Sequence, residues 1–160
     1  MMTVSQPNRP GRRLVLLSFA ALLAGCGRFR HRHDRAEGLY PGETPELRAL
    51  IRRYARVHQI PKTLVHRVIQ RESDYNPRAR NGRYYGLMQI DPRTAKTMGY
   101  HGPAEGLLDA ETNLIYAGRY LRGAWIVAQG DEDAAIMWYA KGYYYEAKRL
   151  GLLEETGLRG

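Results

Sequence analysis

A carboxylate stands where a helical period calls for an apolar residue. Pro61 opens a helix whose inner stripe is Val65, Val68 and Ile69, and the next position on that stripe is Glu72. A carboxyl in an apolar setting is disfavoured in its charged form, so its pKa rises. A carboxyl raised toward about 6 can donate a proton near neutral pH. Protonation of a leaving oxygen, as in cleavage of a glycosidic bond, needs such a donor. The plainer reading is a glutamate at a helix end, paired with Arg71 or Arg67.

The elements that must hold Glu72 follow from the same kind of pattern. Thr44-Pro45 has the form of an N-cap with proline at the first helical position. Leu47, Leu50, Ile51 and Tyr54 then recur on one helical face. Asn76-Pro77 is predicted to end the helix that carries Glu72, with a loop over Arg78 to Arg83 and short extended pieces within Tyr84 to Ile90. Asp91-Pro92 opens a short helix reaching about Met98. Asp109 caps a helix through Trp125, Asp131 to Tyr139 forms another that Gly142 ends, and Tyr143 to Leu150 forms a last one. The expected class is mainly α, with a minor β element after Glu72.

The surrounding residues carry a resemblance. Glu72-Ser73-x-Tyr75-Asn76-Pro77, then Gly86-Leu87-Met88-Gln89-Ile90-x-Pro92-x-Thr94-Ala95, then Asn113-Leu114-x-x-Ala117-Gly118-x-Tyr120-Leu121, and finally Tyr139-x-x-Gly142 stand in this order. Together they closely resemble the family-1 lytic transglycosylases, which share the catalytic domain of the soluble lytic transglycosylase and a goose-type lysozyme-like fold. The four blocks span nearly all of residues 45–145.

That resemblance implies a reaction and a set of residues. The family cuts the β-1,4 bond between N-acetylmuramic acid and N-acetylglucosamine in peptidoglycan without water, leaving 1,6-anhydro ends. Glu72 would be the catalytic acid and then the base. Ser73, Gly86, Leu87, Met88, Gln89, Asn113 and Tyr139 would form the substrate-binding set, with Gly86 to Gln89 lining the cleft. Each has a plainer alternative: a helix-end hydroxyl bonded to backbone for Ser73, core packing for Met88 and Tyr139, and a backbone clamp for Asn113. In the family, the tyrosine at the Tyr139 position points its hydroxyl toward the catalytic carboxyl. Two departures are visible. The last family motif usually reads Tyr-Asn-Ala-Gly, whereas this chain has Tyr139-Ala140-Lys141-Gly142; and the segment before Gly86 carries Arg78, Arg80 and Arg83 in place of the usual Ser-Pro-x-Gly-Ala. Those arginines could meet peptide-stem carboxylates or be a solvated loop. Tyr84, Tyr85 and Tyr143 to Tyr145 are candidates for a sugar-lining cluster, since tyrosine offers a ring face and a polar tip.

No convincing second acid is present. Asp74, two residues on from Glu72, would point away if the helix continued, and Asp91 is more economically an N-cap. A muramidase hydrolysing the same bond, or a non-catalytic peptidoglycan-binding lipoprotein, are the alternatives. Neither a metal nor an organic cofactor is expected.

The N-terminus reads as an address. Arg9, Arg12 and Arg13 precede the short apolar run Leu14 to Ala24, then Gly25 and the only cysteine, Cys26. Residues 1–25 are therefore expected to be a signal peptide. Leu23-Ala24-Gly25-Cys26 resembles a bacterial lipobox, which implies a lipidated Cys26, a membrane anchor and an outer-membrane lipoprotein facing the periplasm. Residues 26–44 are expected to be a basic tether, at most about 65 Å long, and residues 45–160 the folded domain. Composition agrees: 160 residues with 44% apolar content suit one globular domain. Of the net charge of +9, the seven arginines and one acid of residues 1–35 supply +6, so the body is only mildly basic. Nucleic acid is not an expected partner; peptidoglycan strands are, and protein partners are not specified.

Overall fold

The structure is a computed structural model describing residues 38–158. Cys26, the expected signal peptide and most of the expected tether lie outside the described residues.

Among the described residues, six α-helices and one small hairpin form the domain. Helix α1 (Pro45–Val57) starts as its sequence predicts: the Thr44 hydroxyl accepts the Leu47 N–H at 3.2 Å, and Pro45 occupies the first turn. Leu47, Ile51 and Tyr54 are buried along one face. Helix α2 (Lys62–Glu72) buries Leu64, Val65, Val68 and Ile69, so Glu72 closes an apolar stripe. This helix stops before Asn76-Pro77, where the proline was expected to end it. Asp74 and Tyr75 both take positive φ (+49° and +64°), a conformation unfavourable for residues with a Cβ. The double reversal turns the chain sharply beyond Glu72 and buries Tyr75 against His66, with 2.7 Å between its hydroxyl and Nδ1.

A hairpin follows. Strand β1 (Arg80–Asn81) pairs antiparallel with β2 (Tyr84–Tyr85), Arg80 opposite Tyr85 and Asn81 opposite Tyr84. Tyr85 also bridges to Ile90, folding residues 86–89 into a tight loop. Helix α3 (Pro92–Thr97) is capped by Asp91. A 3-10 turn over Ala104–Leu108, which lacks a helical apolar period in the sequence, leads into α4 (Ala110–Val127), capped by Asp109. Helices α5 (Glu132–Lys141) and α6 (Tyr144–Leu150) complete the chain.

Helix α4 is the axis of the domain and packs against α1, α3, α5, α6 and the 3-10 turn. Its approach to α1 requires Gly118, where a Cβ would lie 2.5 Å from the His58 ring. The core runs from Ile51, Leu64 and Ile69 through Leu87 and Met88 to Leu114 and Leu121. The mainly helical class with a small β element is thus the one that forms.

Residues 38–44 are packed: Tyr40 stacks on Tyr75 with ring centroids 5.9 Å apart, and the Glu43 side chain is wholly buried in an ion pair with Arg48. A buried carboxylate must be compensated, and Arg48, one turn into α1, supplies the compensation. Among the described residues, no helix is long and apolar enough to cross a membrane.

Candidate active site

Glu72 sits at the C-terminal end of α2, where the helix presents unpaired carbonyls rather than N–H groups. Its side chain is 24% exposed. It opens onto a cavity of about 330 Å³ that Asn81, Tyr84, Gln89, Tyr139 and Ala140 also line. Burial pushes its carboxyl above the ordinary range, and the Arg71 guanidinium, 3.7 Å away, only partly opposes this. Among the described residues no group donates a hydrogen bond to this carboxylate. A desolvated carboxyl without donors favours its protonated form, which is the state of a proton donor.

The wall opposite is the loop 85–89, and three separate elements pin it. The Ser73 hydroxyl donates to the Leu87 carbonyl at 2.7 Å. The Tyr139 hydroxyl, from α5, donates to the Met88 carbonyl at 2.8 Å. Asn113, fully buried on α4, accepts the Met88 N–H at 2.9 Å through Oδ1 and donates through Nδ2 to the Tyr85 and Leu107 carbonyls. The loop closes on Gly86, whose φ is +77° and where a Cβ would lie 2.2 Å from the Leu107 oxygen and 2.3 Å from Asn113 Nδ2. Gly86→Ala is therefore expected to destabilise the fold by at least about 2 kcal/mol, from backbone strain and the clash together. Urea denaturation checks this.

Gln89 is the residue the loop delivers to the cleft. It takes φ +48°, and its Nε2 donates to the carbonyls of Gly86 (2.9 Å) and Ala79 (3.1 Å). Its Oε1 is left without a protein donor among the described residues. A fixed amide of this kind presents one acceptor to whatever occupies the cavity.

The structure thus brings three of the sequence-predicted residues, Glu72, Gln89 and Tyr139, onto one cavity. It does not bring the other five there. Leu87 and Met88, expected to line the cleft, are fully buried core residues. Gly86 faces Asn113 and Leu107. Ser73 and Asn113 spend their polar groups on backbone, since an unpaired buried carbonyl or N–H would be costly. These five shape the loop from behind. Tyr139 gives its proton to the Met88 carbonyl. Burial and the nearby Glu72 charge push its phenol well above the ordinary value, so it stays protonated. Tyr139→Phe should orphan the Met88 carbonyl and cost about 1–3 kcal/mol in a denaturant titration.

A larger cavity of about 650 Å³ shares Tyr84, Gln89, Tyr139 and Ala140 with the first. Tyr120 and Tyr144 line it, and Tyr120 packs edge-on to Tyr139 at 5.4 Å. Of the other tyrosines expected to line a sugar site, Tyr85 lies under the Arg80 guanidinium. Tyr143 is buried, donating to the Tyr120 carbonyl, and Tyr145 points into solvent outside both cavities. Asn81 had no distinguishing signal in the sequence; only the hairpin register puts it beside Glu72.

Asp91 borders the larger cavity but is fully engaged. It caps α3 through the Arg93 N–H and forms ion pairs with Arg93 (2.8 Å) and Arg83 (3.1 Å). The Arg93 hydrogen bonds hold its carboxyl below the ordinary range, so it stays ionised. Among the described residues, no cluster of three His, Cys, Asp or Glu side chains is arranged to hold a metal ion.

A lysozyme-like helical domain with one shielded carboxyl on an open cleft is the class that this fold and site define. The chain belongs to the transglycosylase SLT domain family, whose model matches residues 49–151, well over half of its length. It is, in general terms, a glycan-cleaving domain of the peptidoglycan lytic transglycosylase type. No curated protein and no solved structure matches it.

Proposed function

We propose that the protein cleaves the β-1,4 bond between N-acetylmuramic acid and N-acetylglucosamine without water, leaving 1,6-anhydromuramoyl ends, with Glu72 as acid and then base. The observation that carries this reading is a single desolvated carboxyl on the cleft, the one acid lining the adjoining cavity being locked between two arginines. Protonated Glu72 gives its proton to the glycosidic oxygen as the C1–O bond breaks, and the substrate's N-acetyl oxygen bonds to C1. The leaving sugar departs as an alcohol. Glu72, now a carboxylate, removes the proton from the C6 hydroxyl as that oxygen displaces the acetamido oxygen from C1. Protons balance, and Glu72 returns to its starting state. Substrate assistance of this kind needs no second carboxylate.

The rest of the cavity suits the two states of Glu72. Tyr139 has committed its proton to Met88, so toward Glu72 its oxygen can only accept, which favours the protonated carboxyl. Gln89 Oε1 can take the N–H of an N-acetyl group. Lipidation of Cys26 and an outer-membrane location facing the periplasm complete the proposal, on the lipobox-like Leu23-Ala24-Gly25-Cys26. The direct test is mass spectrometry of peptidoglycan digested with the full chain. Products with 1,6-anhydro ends are expected. Products one water heavier would mean a muramidase, and intact glycan that still retains the protein would mean a binding lipoprotein.

A further inference from the structure

The larger cavity carries a charge that glycan cleavage by Glu72 does not use. Arg83, Arg93 and Lys141 line it, and Asp91 is the only acid among its lining residues. Asp91 lies against both arginines, so one negative charge is divided between two guanidinium groups. Lys141 has no ion-pair partner among the described residues and is exposed. The lining therefore carries a surplus of two positive charges. The rest of the body is nearly balanced, since residues 36–160 hold only +3 in total. The cavity lining accounts for two of those three charges.

Its position is fixed by the local structure. Lys141 ends α5 two residues after Tyr139, and Gly142, at φ +83°, turns the chain directly afterwards. Ala140 stands on the wall shared by the two cavities and offers no polar group there. Half-exposed Tyr144 supplies a ring face on the same cavity. An uncharged sugar has no use for an unpaired ammonium group beside two guanidinium groups that share one carboxylate. An anion attached to a sugar does.

We propose that this cavity is a subsite for a carboxylate carried by a muramoyl unit of the glycan, with Lys141 and the outer edges of Arg83 and Arg93 as its ligands and Tyr144 against the adjoining sugar. The inference rests on the peptidoglycan reading and adds a charge preference to it. Two sources supply that chemistry: the acidic peptide stem, and the lactyl carboxylate exposed when the stem has been removed. Charge-assisted hydrogen bonds give the recognition.

The test compares three forms of one peptidoglycan preparation: native, with its carboxylates converted to amides, and with its stems removed by an amidase. Full-chain protein should show a KM about ten- to a hundredfold higher on the amidated form, with kcat little changed. Lys141→Glu should raise KM on native material by a similar factor and abolish the difference between native and amidated forms; Lys141→Arg should retain it. A low KM on stem-free glycan assigns the lactyl carboxylate, and a high one assigns the stem. Equal KM values on the native, amidated and stem-free forms would overturn the subsite while leaving the cleavage reading intact. Retention of the Glu72→Gln protein on native but not amidated sacculi, with no cleavage by the parent protein, would sink the cleavage reading and keep the subsite. Loss of both cleavage and charge-dependent retention would overturn both.

Discussion

Glu72→Gln is expected to lower turnover on peptidoglycan by about 10²- to 10⁴-fold, the usual worth of a positioned acid–base group, and at the same time to stabilise the fold at neutral pH. Both effects come from the same burial. The carboxyl is desolvated at the end of α2, receives no hydrogen bond among the described residues, and has only Arg71 to oppose the rise of its pKa from the ordinary 4.5. The folded state therefore holds this proton more tightly than the unfolded chain does. Below pH 4.5 the residue is protonated in both states and the shielded site is tolerated fully. As pH rises from there through the elevated folded value, folding must accept a charge in the cavity, and stability falls. The glutamine variant carries no such charge. Its melting temperature should exceed that of the parent at pH 7, and the gap should close as the pH is lowered toward 4. Activity should fall as pH rises through the Glu72 pKa, because the first step needs the protonated form. Unaltered turnover in the variant would remove Glu72 from the mechanism, and a stability gap independent of pH would show that its carboxyl is not the shielded group described above.

The second large effect lies at the other end of the domain. Glu43→Ala is expected to destabilise the fold by about 3–5 kcal/mol, because it removes the carboxylate that compensates a buried guanidinium. Glu43 is wholly buried, and both its oxygens accept from Arg48, which also donates to the Gly38 carbonyl. Burial alone would push the Glu43 carboxyl upward, but the Arg48 hydrogen bonds, the Tyr40 N–H and the His66 and Arg48 charges together outweigh it and leave the group below the ordinary range. The pair therefore contributes stability at pH values above the usual carboxylate pKa, and that contribution is lost as pH falls through the lowered folded value. In a domain of ordinary stability the variant should melt roughly 10 °C or more below the parent at neutral pH. The difference should narrow in acid. The double variant Glu43→Leu with Arg48→Met should recover much of the loss, since apolar replacement of a buried ion pair is often nearly neutral. A single variant within 1 kcal/mol of the parent would show that the pair is effectively solvated. The segment matters to the site because Tyr40 packs on His66 and Tyr75, and Tyr75 lies three residues beyond Glu72.

Much of this organisation was legible in one dimension. The caps at Thr44, Asp91 and Asp109 each bond the backbone as their sequence positions suggest, because a cap is a local interaction between residues two or three apart. The apolar stripe that ends in Glu72 was equally readable, since helical periodicity reports which face will be buried. The ordered motif blocks carry the family signature in the sequence alone.

Other features depend on contacts between distant residues, and no local pattern encodes them. The helix carrying Glu72 ends early because Asp74 and Tyr75 adopt positive φ, a conformation that Tyr75 keeps through its bond to His66 nine residues away. Glu43 looked like part of a charged tether, because burial of a carboxylate is decided by whether a cation meets it in space. Ser73, Gly86, Leu87, Met88 and Asn113 share motif blocks with Glu72 and Gln89, yet sequence proximity cannot say which residues face the cavity and which hold the loop from behind. By itself the sequence determined the helices, their caps, the family and the one carboxyl set among apolar neighbours. Only the tertiary structure decided which motif residues line the cleft, that Asp91 is shared between two arginines, and that Lys141 lines the same cavity as they do, because side-chain burial and charge pairing follow from packing across the chain rather than along it.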